Sequence, residues 1–207
     1  MQDPMTERKM QSHERYTNYT PQSYEKQGIM TYLCRMPADR KLIPAISRIK
    51  GKSILDVGLG TGDYTRLLTS DNRVVGVDQN PHLCLLPIKV YKGDATELSS
   101  LVGAEKFDIV LSTWMTDYFD GDKLQKFFCE AKKVLKAGGQ LITTTIRPNG
   151  WGLVYLFLAR YWRGVDKHAC AKRRVVEKLN NAGFTDVNLI NLNSWLGIPW
   201  ACLVIAK

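Results

Sequence analysis

The sequence predicts an α/β fold built on a doubly wound parallel sheet. Residues 53–57 are a short, mostly apolar run, typical of a buried strand, and three glycines at alternate positions follow it. Residues 64–68 then place apolar side chains at helical spacing, which gives the order strand, glycine turn, helix. Two further apolar runs, over 73–78 and 106–112, are typical of central parallel strands that are buried on both faces.

The glycine turn is suited to holding a ligand. Glycine has no Cβ, so the backbone at Gly58, Gly60 and Gly62 can approach a bound molecule closely. A helix that follows such a turn directs its free N–H groups at the same place. Asp78 ends the second strand, 22 positions after Asp56. An acid at that place in a nucleotide-binding unit typically binds the ribose hydroxyls, so the pair indicates a ligand with a ribose.

The spacing of the glycines selects among such ligands. Dinucleotide sites use G-x-G-x-x-G, whereas here the order is Asp56-x-Gly58-x-Gly60-x-Gly62, which disfavours an NAD-dependent reductase. The pattern resembles motif I of the class I S-adenosylmethionine-dependent methyltransferases, of the methyltransferase-11 type. The resemblance implies S-adenosyl-L-methionine as cofactor and S-adenosyl-L-homocysteine as product. It assigns these four residues to the cofactor site, together with Asp78 and Gln79.

Three further residues are assigned to that site by the same resemblance. Asp94 resembles the motif II acid, which hydrogen-bonds the adenine amino group, and Ala95 supplies a backbone N–H beside it. The alternative is that Asp94 only caps a helix over 96–101. Ser112 ends a strand at the motif IV position, where ligands lie in a doubly wound sheet. No Asn-Pro-Pro-Tyr or Asp-Pro-Pro-Tyr follows, so the resemblance is not to enzymes that methylate exocyclic amines of DNA bases.

The second half of the chain resembles the end of the same fold. Gly138 and Gly139 are expected to cap a helix and turn the chain into a strand. The predicted elements are helices over 124–135 and 172–182 and strands over 140–146, 187–192 and 200–205. The resemblance therefore implies a Rossmann-like, seven-stranded, mostly parallel sheet whose last strand is antiparallel.

The chain divides into an arm and a domain. Residues 1–36 are rich in Tyr, Gln and Ser. A comparable arm folds over the active site as a lid in many small-molecule methyltransferases; the alternative is that the tyrosines of this arm pack on the domain surface. Residues 37–207 are expected to be the methyltransferase domain, beginning with an amphipathic helix within 37–50.

Residues 147–167 are interpreted as a substrate-side insertion. The stretch from Trp151 to Arg163 is strongly apolar and aromatic and then becomes basic. At about 13 residues it is too short to span a bilayer. Three interpretations stay open: the lining of an apolar substrate pocket, a helix in a membrane interface with basic residues on headgroups, or a core helix with a basic end.

Charge and cysteine content restrict the partners. The net charge is +9, and the basic residues concentrate in the segments that flank the predicted cofactor half. Such flanks suit an anionic substrate, an anionic membrane surface or nucleic acid, or serve only solubility. No recognisable RNA-binding module is present, which disfavours nucleic acid. The five cysteines form no C-x-x-C pair, so we expect no metal site and a reducing, cytoplasmic location, with peripheral membrane contact as an alternative.

The expected chemistry leaves little trace in a sequence. Methyl transfer from a sulfonium mainly requires that the acceptor be positioned, and a base helps only if the acceptor must lose a proton. Asp117, Tyr118 and His168 are the candidates for such a base, with an ordinary surface histidine as the alternative for His168. The sequence thus predicts a methyltransferase acting on a small-molecule or lipid-like acceptor. The alternatives are an RNA methyltransferase and a non-catalytic binding protein that keeps the fold.

Overall fold

The computed structural model describes residues 35–163 and 167–207, and these residues contain a seven-stranded sheet. The strands are β1 (Ser53–Val57), β2 (Arg73–Asp78), β3 (Lys89–Lys92), β4 (Phe107–Ser112), β5 (Leu135–Ile146), β6 (Val187–Asn193) and β7 (Pro199–Ala206). The helices are α1 (Met36–Ile46), α2 (Leu98–Val102), α3 (Gly121–Val134), α4 (Gly150–Arg163) and α5 (Lys172–Asn181). The predicted arm, apart from its last two residues, lies outside the described residues.

The strand order is β3-β2-β1-β4-β5-β7-β6, which confirms the predicted fold class. Strands β1 to β5 pair in parallel, and β7 runs antiparallel to both of its neighbours. The chain moves outward from β1 to β3 and then returns to place β4 on the other side of β1. This reversal opens a crevice at the carboxyl ends of β1 and β4, where ligands of doubly wound sheets bind.

Alternation along the strands builds one hydrophobic core on each face of the sheet. In β1, Ile54 faces the layer that contains α1 and α4, whereas Leu55 and Val57 face the layer that contains α2, α3 and α5. All three side chains are fully buried. Burial of a side chain of this size stabilises the fold by about 1.5–3 kcal/mol. The sheet is therefore held from both sides, and its carboxyl edge is fixed in place.

Helix α3 shows how the local sequence sets an element. The Asp120 side chain accepts a hydrogen bond from the Lys123 N–H at 2.9 Å and so caps the helix at its start. The apolar side chains at i, i+3, i+4, i+7 and i+10 are buried, as the pattern predicts: Leu124, Phe127, Phe128, Ala131 and Val134.

Two local predictions were wrong. The helix expected over 64–68 is only a 3₁₀ turn at Thr65–Leu67, because the Asn72 side chain takes the Leu68 carbonyl and β2 begins directly afterwards. The glycines expected to cap α3 lie inside β5, which follows the helix without a separate turn. Gly138 has φ +74° at a bulge where five steps along β5 oppose two steps along β4.

Helix α4 covers most of the predicted insertion at 147–167, of which residues 164–166 lie outside the described part. Its inner face, which includes Tyr155 and Leu156, packs against the core layer of α1. Within the described residues, no helix is long and apolar enough to cross a membrane.

Candidate active site

The glycine turn is fastened to the end of β2. The Gly58 N–H donates to the Val77 carbonyl at 2.8 Å, and the Gly60 N–H donates to the Asp78 carboxylate at 2.9 Å. The second oxygen of Asp78 accepts from the Asn80 N–H at 2.7 Å. The structure therefore brings together the turn and the acid that the sequence predicts to share a ligand.

All three glycines of the turn occupy the left-handed region, with φ of +72°, +56° and +84°. Side chains from neighbouring loops close over the turn. A Cβ added to Gly58 would lie 2.9 Å from the Cβ of Met115 and closer still to its Cγ, and one on Gly62 would lie 2.7 Å from Leu86 Cδ1. The turn thus forms a cradle that Met115 and Leu86 pack so closely that only glycine fits at Gly58 and Gly62.

Asp56 is buried at the end of β1, directly before the turn. Its Oδ2 accepts a 2.6 Å hydrogen bond from the Thr65 hydroxyl, while Oδ1 has no hydrogen-bond partner among the described residues. Burial raises the pKa of this carboxyl to about 7, and the negative charge of Asp78 adds to the effect. A buried carboxylate oxygen without a partner is costly, so this position favours a cationic or hydrogen-bond-donating ligand.

Asp94 and Gln79 lie side by side beyond the ends of β3 and β2. The Gln79 Nε2 donates to Asp94 Oδ2 at 3.1 Å, and Asp94 Oδ1 accepts from the Thr96 N–H at 2.8 Å. Asp94 therefore does cap the turn that follows it, as the structural alternative expects. Its role toward adenine, and that of the buried Ala95, stay predictions.

Ser112 is fully buried at the end of β4, beside the crevice. Its hydroxyl has no hydrogen-bond partner among the described residues, whereas its carbonyl accepts from the Thr143 hydroxyl at 2.8 Å. Two polar groups, Asp56 Oδ1 and Ser112 Oγ, thus lack partners at the carboxyl ends of the neighbouring strands β1 and β4.

Sequence reasoning missed Trp114, which lies two residues beyond Ser112. Trp114 has φ +57°, a conformation that costs free energy for a residue with a bulky side chain. Its indole N–H donates to the Tyr64 hydroxyl at 2.7 Å, and its ring stacks on Trp200 with centroids 5.2 Å apart. The Tyr64 hydroxyl in turn donates to Asp39 at 2.6 Å. The signal in the sequence that could have pointed to this contact was Tyr64, an aromatic residue that directly follows Gly62 and Asp63 of the turn.

The three candidate bases lie near one another: Asp117 and Tyr118 follow β4, and His168, which precedes α5, contacts Asp117 through its backbone. Asp117 forms an ion pair with Lys167, and both side chains are at most 4% exposed. The Lys167 ammonium lies 4.3 Å from the ring centroid of Tyr118 and 3.3 Å from the Tyr155 hydroxyl. His168 is exposed, and its backbone N–H donates to the Asp117 carbonyl at 2.6 Å. Their part in catalysis stays a prediction, and sequence reasoning missed Lys167 as the partner of Asp117.

Comparison with known proteins identifies the family. Residues 55–143, which contain the glycine turn, Asp78, Asp94 and Ser112, match the family model described as a methyltransferase domain. Residues 55–143 are thus a methyltransferase domain, and the match supports an S-adenosylmethionine-dependent methyltransferase. No curated protein sequence matches this methyltransferase.

Solved structures share the fold of this methyltransferase at low identity. A SAM-dependent methyltransferase from Archaeoglobus fulgidus is 19% identical with a TM-score of 0.68, over 84% of this chain and 93% of that one. The DhpI–SAM–HEP complex is 13% identical with a TM-score of 0.70, over 96% and 97% of the two chains. The SAM-bound magnesium protoporphyrin IX methyltransferase of Synechocystis PCC 6803 is 11% identical with a TM-score of 0.65, over 87% and 84%.

The residues of this methyltransferase fit S-adenosylmethionine, which carries a sulfonium and an ammonium group. Asp56 Oδ1 offers a buried acceptor to a cationic ligand. Each Asp78 oxygen accepts one backbone N–H and keeps lone-pair capacity for ribose hydroxyls. Gly58 and Gly62 carry no Cβ, which would collide with Met115 and Leu86, so the bare backbone of the turn is what faces a ligand.

Proposed function

We propose that this methyltransferase acts on a small-molecule or lipid-like acceptor held at the carboxyl ends of β4 and β5. The observation that carries the proposal is the aromatic wall at that edge. Trp114 stacks on Trp200, and the ring of Tyr155 lies 4.9 Å from that of Trp200. Trp200 is itself fully buried, so the aromatic surface beside the motif IV strand is that of the partly buried Trp114 and Tyr155 rings. Flat apolar surface of this kind suits an aromatic or hydrocarbon acceptor.

Methyl transfer requires mainly that the protein position the cofactor and the acceptor. Bound S-adenosylmethionine supplies the methyl group on a sulfonium and leaves as neutral S-adenosylhomocysteine. The residues of the site bind and orient the two molecules and keep water out, which can lower a barrier by as much as about 7–11 kcal/mol. A wall of packed side chains serves that task better than a solvated groove.

The buried pair of Asp117 and Lys167 adds polarity beside this wall. Its ammonium lies near the Tyr155 hydroxyl, so a proton donor and a hydroxyl are held together at the edge of the aromatic surface. A site with one polar corner and one apolar wall orients an amphiphilic acceptor. Among the structural neighbours, the magnesium protoporphyrin IX methyltransferase is named for a small molecule, which supports this acceptor class over RNA.

Transfer of labelled methyl groups tests the proposal. The purified protein is incubated with methyl-labelled S-adenosylmethionine and, separately, with an organic extract, an aqueous metabolite extract and total RNA. We expect label in a low-molecular-weight product of one of the first two, and much less label with the Asp78→Ala variant at the same low concentration of S-adenosylmethionine. Label in RNA would establish the RNA methyltransferase alternative. Saturable binding of S-adenosylmethionine without transfer to any fraction would favour the non-catalytic alternative.

A further inference from the structure

Two elements of the carboxyl edge expose large apolar side chains. One is the outer face of α4, and the other is the tip of the hairpin that joins β6 to β7. We call these side chains the apolar rim; they are Leu153, Val154, Phe157, Trp195, Leu196 and Ile198. Leu196 is 71% exposed and Phe157 is 66% exposed. Apolar exposure on this scale commonly marks an interaction surface.

Helix α4 is apolar on both of its sides. Its inner face packs Tyr155, Leu156 and Ala159 against the sheet. A surface helix of a water-soluble domain ordinarily turns polar residues outward, yet α4 turns Leu153 and Phe157 outward. Arg160 follows on the same face, because i, i+4 and i+7 positions align along a helix. The outer face is thus apolar at its beginning and basic at its end.

The hairpin tip holds its apolar residues in a closed turn. The Ser194 N–H donates to the Ile198 carbonyl at 2.9 Å, and the Gly197 N–H donates to the Ser194 carbonyl at 3.0 Å. Gly197 has φ +73°, which permits this tight geometry. Trp195 and Leu196 therefore project from a hydrogen-bonded loop and not from a frayed end.

Hydrogen bonds join the segment before α4 to the start of β7, and so connect the two elements that form the rim. The Arg147 N–H donates to the Trp200 carbonyl at 2.9 Å, and the Asn149 side chain donates to the Pro199 carbonyl. Both residues directly precede α4, and both acceptors begin β7. The rim consequently lies on one edge of the sheet, the same edge that holds Trp114 and the crevice.

Among the described residues, the charged side chains that contact the hairpin of the rim are positive. The Arg40 guanidinium lies 4.5 Å from the ring centroid of Trp195, and Lys41 donates to the Asn191 carbonyl beside the same hairpin. The sequence contains no Asp or Glu over 146–163 or over 187–207. A second copy of this chain would bring like charges together at the rim, whereas a surface of anionic headgroups would complement them.

We propose that the apolar rim docks this methyltransferase on anionic lipid bilayers. Leucine, phenylalanine and tryptophan side chains enter the boundary between headgroups and acyl chains, and the neighbouring arginines and lysines contact the headgroup phosphates. This arrangement places the crevice next to the lipid phase, so that a lipid-soluble acceptor reaches the site without crossing water. That last step rests on the proposed function, but the docking itself does not.

Co-sedimentation with vesicles tests the docking. The full chain, without cofactor, is mixed with vesicles of phosphatidylcholine alone or with phosphatidylglycerol added. We expect sedimentation with the anionic vesicles that weakens at high salt. In the triple variant Leu153→Ser, Phe157→Ser, Leu196→Ser we expect the bound fraction to fall by about tenfold or more. The control is Leu85→Ser, which removes a leucine that is also 71% exposed but lies before β3, far along the sheet.

Docking requires that side chains of the apolar rim enter the lipid, and quenching of tryptophan fluorescence tests whether they do. Chains brominated near the headgroup quench tryptophan fluorescence only at contact distance, so we expect Trp195→Phe to remove most of the quenching. A triple variant that sediments as well as the parent would show that charge alone binds, and would overturn the proposal. Failure of the full chain to sediment would overturn it too. If the parent protein then formed a concentration-dependent dimer and the triple variant were a monomer, the rim would be the interface with a second copy of this chain. None of these outcomes depends on methyl transfer.

Discussion

Gly60 donates its backbone N–H to the carboxylate of Asp78 across 2.9 Å, and this bond joins the glycine turn to the end of β2. The Asn80 N–H holds the other oxygen of the same carboxylate. Two backbone donors therefore fix the plane of the acid before any ligand arrives. An acid held in this way presents its remaining lone pairs in one direction, which lowers the entropic cost of binding.

We expect Asp78→Ala to weaken binding of S-adenosylmethionine by about 10- to 100-fold, because hydrogen bonds to a charged group contribute about 1.5–3 kcal/mol. Isothermal titration calorimetry measures the change. Asp71→Ala is the control, since Asp71 precedes the same strand and its side chain pairs with Lys50 at the exposed surface. Equal affinities for Asp78→Ala and the parent would contradict the assigned site.

The glycines allow crowding to be separated from backbone strain. Gly58→Ala and Gly51→Ala both place a Cβ at positive φ, but only the first meets a neighbour, Met115. Gly51→Ala should therefore cost about 1–2 kcal/mol of stability and leave cofactor binding intact. Gly58→Ala should abolish measurable binding.

Gly62→Ala should fall between these two variants, because its Cβ meets the flexible end of Leu86. Thermal unfolding gives the stability of each variant and calorimetry gives its affinity. If Gly51→Ala lost cofactor binding to the same degree as Gly58→Ala, crowding at the cradle would not be the cause.

The cradle was predictable because its signals are local. Gly58, Gly60 and Gly62 are spaced along one turn, and Asp78 follows at a characteristic interval, so no distant contact had to be known. The seven-stranded, mostly parallel sheet with an antiparallel last strand followed from the family resemblance and was confirmed. The predicted helix after the turn failed because one side chain, Asn72, ends it, and propensity carries no information about such a bond.

The rest of the site depends on contacts between distant residues. Tyr64 and Trp114 are 50 positions apart, and so are Asp117 and Lys167. The sequence around one residue of each pair does not indicate which distant residue it contacts. Sequence reasoning therefore placed Asp117 near the site but could not foresee that a buried ammonium holds its carboxylate. The roles assigned to individual residues stay predictions until binding and turnover are measured.

Asp56 gives a prediction about pH. Its pKa is raised from 3.8 to about 7 in the folded protein, so between these values the folded state holds a proton that the unfolded state has released. The contribution of this group to stability must then fall as pH rises from about 4 to about 7 and stay level above that. Asp56→Asn keeps an acceptor for Thr65 but cannot ionise, so its stability relative to the parent should increase across this range.

Urea unfolding of the two proteins from about pH 5 to about pH 8 measures this difference, since all other titrating groups are shared. A cationic cofactor should favour the ionised carboxyl, so the parent should bind S-adenosylmethionine more tightly as pH rises through about 7. A stability difference that does not change with pH would show that Asp56 is ionised throughout.

Tyr64 connects the glycine turn to Trp114 through its hydroxyl, which also accepts from Arg35 and donates to Asp39. Tyr64→Phe removes the hydroxyl and leaves the indole N–H and a half-buried carboxylate without this partner. We expect a loss of about 1–3 kcal/mol in the free energy of unfolding. Tyr91→Phe is the control, because the Tyr91 hydroxyl accepts an exposed hydrogen bond from Lys89. Equal losses in the free energy of unfolding for Tyr64→Phe and Tyr91→Phe would show that the hydrogen bonds of the Tyr64 hydroxyl do not stabilise the fold.

The buried pair of Asp117 and Lys167 should behave as a unit. Lys167→Met removes the ammonium from a carboxylate that is 2% exposed, and Asp117→Asn removes the charge of that carboxylate from the ammonium. Removal of one partner from a buried pair costs about 3–5 kcal/mol, whereas removal of both costs much less than the sum. Urea unfolding of the two single variants and the double variant gives the coupling free energy directly. The same cycle on the exposed pair of Lys50 and Asp71 should give a coupling free energy of about 0.2–1 kcal/mol. A coupling free energy this small for Asp117 and Lys167 would show that water screens the buried pair.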